Sequence, residues 1–357
     1  MQKTMGMLGV LLAVQLVLAV SMSTTGPDLT AQRPDTPLLD LGGVAVDHLT
    51  IEGPDKQQVI LARVGEDWLL PASDDFPADA SKVNLLLERL KGLKRGLAVA
   101  TSPGAKKRFR VSDEDFERRV LLGEGDETVA TLYFGTSPGM RRVHARTSED
   151  EAVYTTAFGT YDAPVKPEAW EDKSVLTIPQ EEIEGIELGE LALVRSQDTL
   201  AAEVDANVEK PIEEKTSWSG NGLMEDEMVN QGNAEALAQK LAGLTIGYML
   251  GSEAKPEYGL DEPVLVLRVR RSGGVTIEYH FGKREKENDY VLKVSNRPEY
   301  FRLPVYSVDA LIEMATHEQL VIARTGTAGE EGSSLEPAMP AEGVDPPGQS
   351  DIQEETS

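Results

Sequence analysis

The sequence contains no cysteine among its 357 residues. This absence excludes disulfide bonds, thiolate metal sites, a thiol nucleophile and a lipobox cysteine for lipid attachment. It does not indicate a compartment, because an exported domain with a sufficient hydrophobic core needs no disulfide. Aromatic residues are also scarce, at 5%, whereas hydrophobic residues make up 40% of the chain. The sequence therefore predicts globular cores built mainly from aliphatic side chains.

Basic residues are outnumbered by acidic ones, 35 to 61, which gives a net charge of −26. Such a charge disfavours a nucleic-acid backbone or anionic lipid headgroups as the main partner. The segment after Arg324 contains eight acidic residues and no Lys or Arg, so it contributes −8 and leaves −18 on the rest. Because this segment is rich in Gly, Pro, Ser and Glu, we predict a disordered acidic tail over residues 325–357.

Motifs of the common catalytic sites are also missing. There is no phosphate-binding Gly-rich loop ending in Lys-Ser/Thr and no Gly-x-Ser-x-Gly elbow. The sequence has four histidines, His48, His144, His280 and His317, which are far apart and show no metal-ligand spacing. His144 and His280 lie in strand-like segments, where we expect solvent-facing positions. We therefore predict no catalytic residue, no cofactor-binding residue and no metal ligand.

Acidic residues cluster at three places, Asp74-Asp75 with Asp79, Asp113-Glu-Asp115 and Glu225-Asp-Glu227. Paired carboxylates bind calcium or perform acid/base catalysis in other proteins. None of these clusters has the spaced ladder, the Gly and the terminal Glu of a calcium loop. We interpret them as solvated turns of an acidic protein. A carboxylate-based hydrolase would require two of them to converge in one cleft with opposed pKa shifts.

The N-terminus contains a long apolar run, from Met5 to Met22, which is broken only by Gln15 and preceded by Lys3. A helix needs ~20 apolar residues to span a bilayer. Two interpretations remain open: an uncleaved signal-anchor, or a signal peptide cleaved near Ala19-Val-Ser21. The length of the run favours the anchor, a transmembrane helix over residues 1–24 followed by a proline-containing linker over residues 25–44. Both interpretations place the body of the protein outside the cytoplasm, periplasmic or extracellular.

The remaining chain shows one order of elements twice. Alternating strands (46–51, 59–64 and 68–70) precede a helix with one apolar face over residues 78–93, and further hairpin strands follow. In the second half, Trp218 corresponds to Trp68, the helix over residues 233–244 to the first helix, and Phe281-Gly282 to Phe134-Gly135. A repeat of about 150 residues indicates a domain duplication, because solenoid repeats have periods of ~20–50. We predict an α+β protein with two tandem antiparallel-sheet domains, residues 45–177 and 178–324, each with one main amphipathic helix.

These features together resemble the family catalogued as domain of unknown function 4340. The resemblance covers roughly residues 46–324 and rests on the N-terminal apolar run and on five stretches: Val46-Asp-His-Leu-Thr-Ile-Glu52, Trp68 before the helix, Trp170-Glu-Asp-Lys173 before Ile178-Pro-Gln-Glu-Glu-Ile183, Tyr258-Gly-Leu-Asp-Glu-Pro263 and Phe281-Gly282. The first repeat departs from the pattern, since Phe109-Arg-Val-Ser-Asp-Glu114 lacks the Gly and Pro of the second. The resemblance implies no catalytic residues. It implies, by analogy, an accessory role beside transporters of the ATP-binding cassette type, including gliding-motility-like systems.

Three functions follow as expectations. The first is a membrane-anchored, extracytoplasmic, non-enzymatic module that contacts a transporter or another envelope protein. The second is a module that binds a small ligand or cell-wall polymer in the cleft between the repeats. The third, which the spacing does not support, is the carboxylate-based hydrolase. Two basic clusters, Lys106-Lys-Arg108 with Arg110 and Arg268 with Arg270-Arg271, either dock an acidic partner or balance the local acidic excess.

Overall fold

The structure is a computed structural model that describes residues 36–96, 98–198 and 215–324. The predicted anchor, most of the predicted linker and the predicted acidic tail lie outside these residues. Within the described part of the chain, no helix is both long enough and apolar enough to cross a membrane. The fold is α+β and mainly β, with antiparallel sheets and few helices, in agreement with the predicted class.

The first sheet contains nine strands in the spatial order β4-β3-β2-β1-β6-β7-β8-β9-β5. Its strands are β1 (His48–Glu52), β2 (Gln58–Val64), β3 (Asp67–Leu70), β4 (Phe76–Pro77), β5 (Ala98–Ala100), β6 (Arg118–Glu124), β7 (Glu127–Phe134), β8 (Val143–Thr147) and β9 (Val153–Thr156). Helix α1 (Ala80–Lys91) connects β4 to β5, and the short helix α2 (Pro103–Arg108) follows β5. The predicted strands and main helix of the first half are therefore confirmed, with ends shifted by a few residues.

The second sheet contains eight strands in the order β12-β11-β10-β15-β16-β17-β18-β14. They are β10 (Ile183–Leu188), β11 (Leu191–Asp198), β12 (Lys215–Asn221), β14 (Tyr248–Gly251), β15 (Leu265–Arg271), β16 (Thr276–Arg284), β17 (Asp289–Val294) and β18 (Tyr300–Leu303). Helix α3 (Gln231–Ala242) precedes β14, and helices α4 (Val305–Met314) and α5 (His317–Leu320) follow β18. Strands β13 (Glu227–Val229) and β19 (Val321–Ala323) form a separate pair.

The two large sheets share one strand order. The eight strands from β3 to β5 in the first sheet can be aligned with the eight strands from β12 to β14 in the second. In this alignment β1 corresponds to β10 and β6 corresponds to β15. The helices before β5 and β14 also begin alike, because an N-cap side chain accepts a backbone N–H three residues on in each: Asp79 from Lys82 at 3.1 Å and Asn230 from Asn233 at 3.3 Å. The repeated order of elements that the sequence predicts is thus present in the topology.

A close backbone approach recurs in both sheets at a glycine, Gly135 directly after β7 and Gly282 within β16. A Cβ added at Gly135 would lie 1.9 Å from the Phe109 carbonyl oxygen, and one added at Gly282 would lie 2.2 Å from the Tyr258 carbonyl oxygen. The next residue of each facing turn has a left-handed backbone, with φ +66° at Gly259 and φ +55° at Arg110. The turn at Arg110 therefore has the same left-handed conformation as the turn at Gly259, although Arg110 has a Cβ. A residue with a Cβ in this region of backbone conformation carries a steric cost.

The two sheets are in contact through buried side chains. Phe76 of β4 is 1% exposed and packs in the core of the second sheet, with its ring 6.2 Å from that of Phe301 in β18. The Arg297 guanidinium lies 5.7 Å from the Phe76 ring and 5.8 Å from the Phe301 ring. The sequence left open whether the repeats pack together, and these contacts show that side chains of the first half complete the core of the second.

Helix α4 is attached to the second sheet by a partly buried hydrogen bond that the sequence did not predict. The Tyr290 hydroxyl in β17 donates to the Asp309 carboxylate at 2.6 Å. This bond, followed by burial, raises the pKa of Tyr290 to about 12. The neutral phenol is therefore favoured in the folded protein. Its stabilisation is complete below the usual tyrosine pKa of about 10 and is lost as the pH rises through about 12.

The Tyr290→Phe variant is expected to be less stable by about 1.5 kcal/mol at pH 8, the lower end of the usual contribution of a hydrogen bond to a charged group, because Asp309 is exposed. The difference in the free energy of unfolding between wild type and variant should decrease as the pH rises from about 10 to about 12, because only the wild type has this phenol to ionise. Urea unfolding of both proteins across this pH range measures the difference directly. A stability difference that stays constant with pH would contradict the assigned coupling between Tyr290 and Asp309.

Candidate functional site

The four histidines do not form a site. His48 lies 2.7 Å from Asp47, His280 lies 3.4 Å from Glu278 and His317 lies 3.0 Å from Glu227. His144 is 7% exposed and its ring lies 4.1 Å from that of Phe109, so the expectation of a solvent-facing position is wrong for this residue. Its ring is covered by Phe109, and its Nδ1 lies 3.0 Å from the Thr136 hydroxyl oxygen. No group of three or more potential metal ligands occurs in the described part of the chain.

The three acidic clusters are engaged in local contacts. Asp79 caps helix α1. Asp113 accepts a hydrogen bond from the buried Arg146 at 2.7 Å, and this bond lowers the pKa of Asp113. A hydrogen bond from His317 lowers the pKa of Glu227. Because both shifts keep the carboxylates ionised, neither residue has the raised pKa expected of a general acid at neutral pH.

Most of the predicted basic clusters are paired with nearby acids. Lys106 contacts Glu151 at 2.8 Å, Arg110 contacts Asp115 at 3.0 Å and Arg268 contacts Glu278 at 2.7 Å. Arg271 pairs with Glu182 in the same way. These contacts favour the interpretation in which the clusters balance local acidic charge over the one in which they dock a partner.

A different cationic surface forms where helix α1 ends. A groove of about 870 Å³ lies between the α1–β5 connection, the turn before β8 and the chain that follows β9. We call it the cationic groove. Its lining includes five basic residues and one acidic residue, which are Arg89, Lys94, Arg95, Arg141, Arg142 and Asp162. The lining charge of +4 contrasts with the net charge of −26 of the chain.

The floor of the cationic groove is largely apolar. Phe158 lines it and is 3% exposed, with its ring 4.2 Å from the ring of the buried Phe134. Tyr161 also lines it and is 68% exposed, and the neighbouring Met140 is 92% exposed. The surface therefore combines an apolar floor with cationic walls, which suits a ligand that carries both apolar groups and negative charge.

The cations of the groove differ in how strongly local contacts restrain them. Arg89 pairs with Asp162. Arg95 lies 3.2 Å from Asp150 and its guanidinium lies over the Tyr154 ring. The Nε of Arg95 is buried and has no hydrogen-bond partner among the described residues.

Arg141 and Arg142 form the least compensated part of the groove, since neither makes an ion pair with a described residue. They end a tight turn in which the Ser137 hydroxyl oxygen lies 2.6 Å from the Gly139 carbonyl oxygen and 2.7 Å from the Arg142 carbonyl oxygen and donates to one of them. Arg141 has φ +55°, which costs free energy for a residue with a Cβ. The turn thus holds two adjacent guanidinium groups at the groove with their charge available.

Sequence reasoning missed the cationic groove. Arg95 and Arg141 are separated by 45 residues, so only the pairing of β5, β8 and β9 brings them together. The one local signal is the Arg141-Arg142 pair directly after Gly139-Met140, a basic pair in a turn of an acidic chain.

Comparison with known proteins gives one finding. The sequence model of a family described as Domain of unknown function (DUF4340) matches residues 68–263, more than half of the chain. The chain belongs to the DUF4340 family. The matched region begins in β3 and ends before β15, so it contains all residues that line the cationic groove. No curated protein and no solved structure matches this DUF4340 chain significantly.

Proposed function

We propose that this DUF4340 chain is a membrane-anchored, extracytoplasmic module that acts by contacting a protein of a transporter or envelope complex and performs no catalysis. The observation that carries the proposal is the cationic groove, an apolar and positively charged surface on an acidic protein. Charge of one sign concentrated beside exposed apolar residues is typical of a recognition surface. The acidic clusters and histidines, in contrast, are engaged in local contacts.

The position of the groove relative to the N-terminal part of the chain supports the same function. The backbone N–H of Arg95 donates to the Thr36 carbonyl oxygen at 2.8 Å, and that of Leu38 donates to the Leu93 carbonyl oxygen. The chain therefore enters the first sheet at the groove. The predicted anchor ends at residue 24, and twelve residues span at most about 40 Å. In this proposal the groove lies near the membrane surface, within reach of the extracytoplasmic part of a membrane protein.

The repeated topology supports a second element of the proposal, a domain duplication. The shared strand order, the equivalent N-caps at Asp79 and Asn230, and the equivalent glycines at positions 135 and 282 are the features a duplication would leave. In this proposal the first repeat carries the contact surface and the second supports it through Phe76.

Site-specific photocrosslinking in cells tests the proposal. A benzoylphenylalanine side chain at Met140, beside the groove, is compared with one at Met224, which is 69% exposed in the second half. After detergent extraction and pull-down at native expression level, mass spectrometry should identify a transporter or envelope subunit crosslinked at position 140 and much less at position 224. Recovery of this protein alone, while a known membrane complex is captured under the same conditions, would refute the proposal.

A further inference from the structure

The segment that joins the two repeats acts as a short strand of the first one. Residues 170–172 run antiparallel to the chain that enters helix α1. The backbone N–H of Asp79 donates to the Trp170 carbonyl oxygen at 2.7 Å, and Ala78 forms an antiparallel bridge with Glu171. The joining segment therefore lies as a strand beside the end of β4.

Strand β19 holds the same place in the second repeat. The backbone N–H of Asn230, the N-cap of α3, donates to the Leu320 carbonyl oxygen at 2.9 Å, as Asp79 does to its acceptor in the first repeat. The residue before this N-cap, Val229, pairs with Val321. Leu320 and its counterpart in the joining segment are both buried. Strand β19 is therefore the structural counterpart of the joining segment.

The other edge of the joining segment is covered by the second repeat. The backbone N–H of Ile246 donates to the Lys173 carbonyl oxygen at 3.0 Å. The backbone N–H of Met249 in β14 donates to the carboxylate of Glu171 at 2.9 Å, and Glu171 is only 2% exposed. The first repeat thus binds the next folded unit by offering the edge of its last strand to an edge strand of that unit.

The corresponding edge of β19 is open. Ala323 is the counterpart of Lys173. The backbone N–H of Arg324 donates to the Asp226 carbonyl oxygen at 2.6 Å, so the alternating pattern of an antiparallel pair directs the N–H and carbonyl of Ala323 to the outer edge. Among the described residues, no group forms a hydrogen bond with either of them.

The side chains beside this open edge are exposed and apolar. Ile322 and Met228 pair across β19 and β13, and they are 44% and 38% exposed. The residue that corresponds to Ile322 in the joining segment is the charged Asp172. An open strand edge beside exposed apolar side chains is a surface that an added strand can cover.

We propose that the outer edge of β19 binds the edge strand of a β-sheet in a partner protein. A backbone N–H of the added strand donates to the Ala323 carbonyl oxygen, as Ile246 donates to that of Lys173. An apolar side chain of the partner covers Ile322 and Met228. This surface shares no residue with the cationic groove, and the inference goes beyond the proposed function.

The chain itself favours a partner protein over two other occupants. In a second copy of this chain, the equivalent edge strand β14 is already bonded to its own joining segment through Met249. Residues 325–357 directly follow β19 and contain five glycines and four prolines, which both disfavour strand pairing. Binding of a second copy or of residues 325–357 is a competing outcome that the experiment must separate.

Photocrosslinking in cells with benzoylphenylalanine at position 322 of the full chain tests the inference. The blocking variant is Ala323→Pro, which removes an outward N–H and leaves the hydrogen bonds to β13 in place. Ala323→Thr is the matched control, because threonine keeps the N–H and favours strands. We expect an adduct with a partner protein whose yield falls about tenfold in the proline variant, as a loss of about 1.4 kcal/mol would cause below saturation. The threonine variant should keep the yield, and peptide mapping should place the crosslink on an edge strand of the partner.

A second readout keeps the inference falsifiable if proline disturbs the strand pair. Hydrogen exchange of β13 should be equal in the proline and threonine variants. If it differs, Ala323→Lys replaces the proline variant, because a charged edge residue hinders strand addition while every backbone donor is kept. Absence of an adduct, equal yields in blocking and control variants, or a crosslink outside a strand edge would overturn the inference. Crosslinks to residues 325–357 or to another part of this chain's sequence would also overturn it, because they identify the tail or a second copy as the occupant.

The outcomes for the two proposals are distinguishable because the two surfaces carry different crosslinking positions. Capture of an envelope subunit at position 140 without an adduct at position 322 would leave the proposed function standing and remove this inference. An adduct at position 322 that proline abolishes, without capture at position 140, would do the reverse. Position 224 remains the comparison for the groove, because Met224 precedes β13 and the added strand would lie beyond β19.

Discussion

The variant Gly282→Ala is expected to lose at least about 3 kcal/mol of folding free energy, at the upper end of the cost of overpacking. The added methyl group would lie 2.2 Å from the Tyr258 carbonyl oxygen and 2.8 Å from the Gly259 carbonyl carbon. These atoms belong to backbone, which cannot rotate aside as a side chain can. Either the strand or the facing turn must move, and both are bordered by buried residues such as Phe281.

The same substitution at Gly135 should have a similar effect, because its Cβ would lie 1.9 Å from the Phe109 carbonyl oxygen. Gly104→Ala is the matched control, since its Cβ would meet nothing within 4 Å and the residue lies in helix α2. Alanine at position 104 should leave the free energy of unfolding unchanged or raise it by up to about 1 kcal/mol. Urea unfolding, followed by tryptophan fluorescence, measures the free energy of unfolding of the three variants. Equal stability of the Gly104 and Gly282 variants would show that the close approach is absent in solution.

The variant Phe76→Ala is expected to destabilise the protein by about 3–5 kcal/mol, the usual range for truncating a buried phenylalanine. The effect that distinguishes this variant from other core variants is expected in the second sheet, although Phe76 belongs to the first. The Phe76 side chain lies in the core cluster of the second sheet, next to Phe301 and the Arg297 guanidinium. The cavity left by the ring would therefore open beside β18 and the adjacent edge strand β14.

Hydrogen exchange measured by mass spectrometry on the full chain tests this coupling. Phe76→Ala should increase exchange in peptides from β14 and β18. The matched control is Phe158→Ala, which removes an equally buried ring that stacks on Phe134 within the first sheet. This control should increase exchange around β7 and β9 and leave β14 and β18 protected. Unchanged exchange of the second sheet in Phe76→Ala would show that the halves fold independently.

Much of the fold was predictable because the patterns that indicate it are local. Period-2 alternation before the first helix and period-3.6 spacing within it arise from local geometry, so Leu49, Ile51, Val83 and Leu90 can be assigned to the core from sequence alone. The Phe-Gly pairs at 134–135 and 281–282 were matched by residue type. Their role as the point of closest backbone approach depends on strand pairing, which sequence spacing does not reveal.

The elements that sequence reasoning missed have tertiary causes. Helix α4 follows the last strand of the second sheet, and its position depends on the buried side chains of Val308 and Leu311 and on the Tyr290–Asp309 hydrogen bond. His144 follows an alternating pattern that places it on a solvated face, yet the Phe109 ring lies 4.1 Å from its ring and the Thr136 hydroxyl oxygen lies 3.0 Å from its Nδ1. In both cases a contact between distant elements outweighs the local pattern.

By itself, the sequence determined the α+β class, the main helices, the repeated order of elements and the absence of cysteine chemistry, because composition and periodicity are local properties of the chain. Only the tertiary structure decided which charges remain available. Arg110 and Arg268 look like a docking surface in sequence but meet Asp115 and Glu278, whereas Arg95 and Arg141 look unrelated but line one groove. The reason is physical: the effect of a charge depends on the charges within a few ångströms of it, and the fold sets those distances.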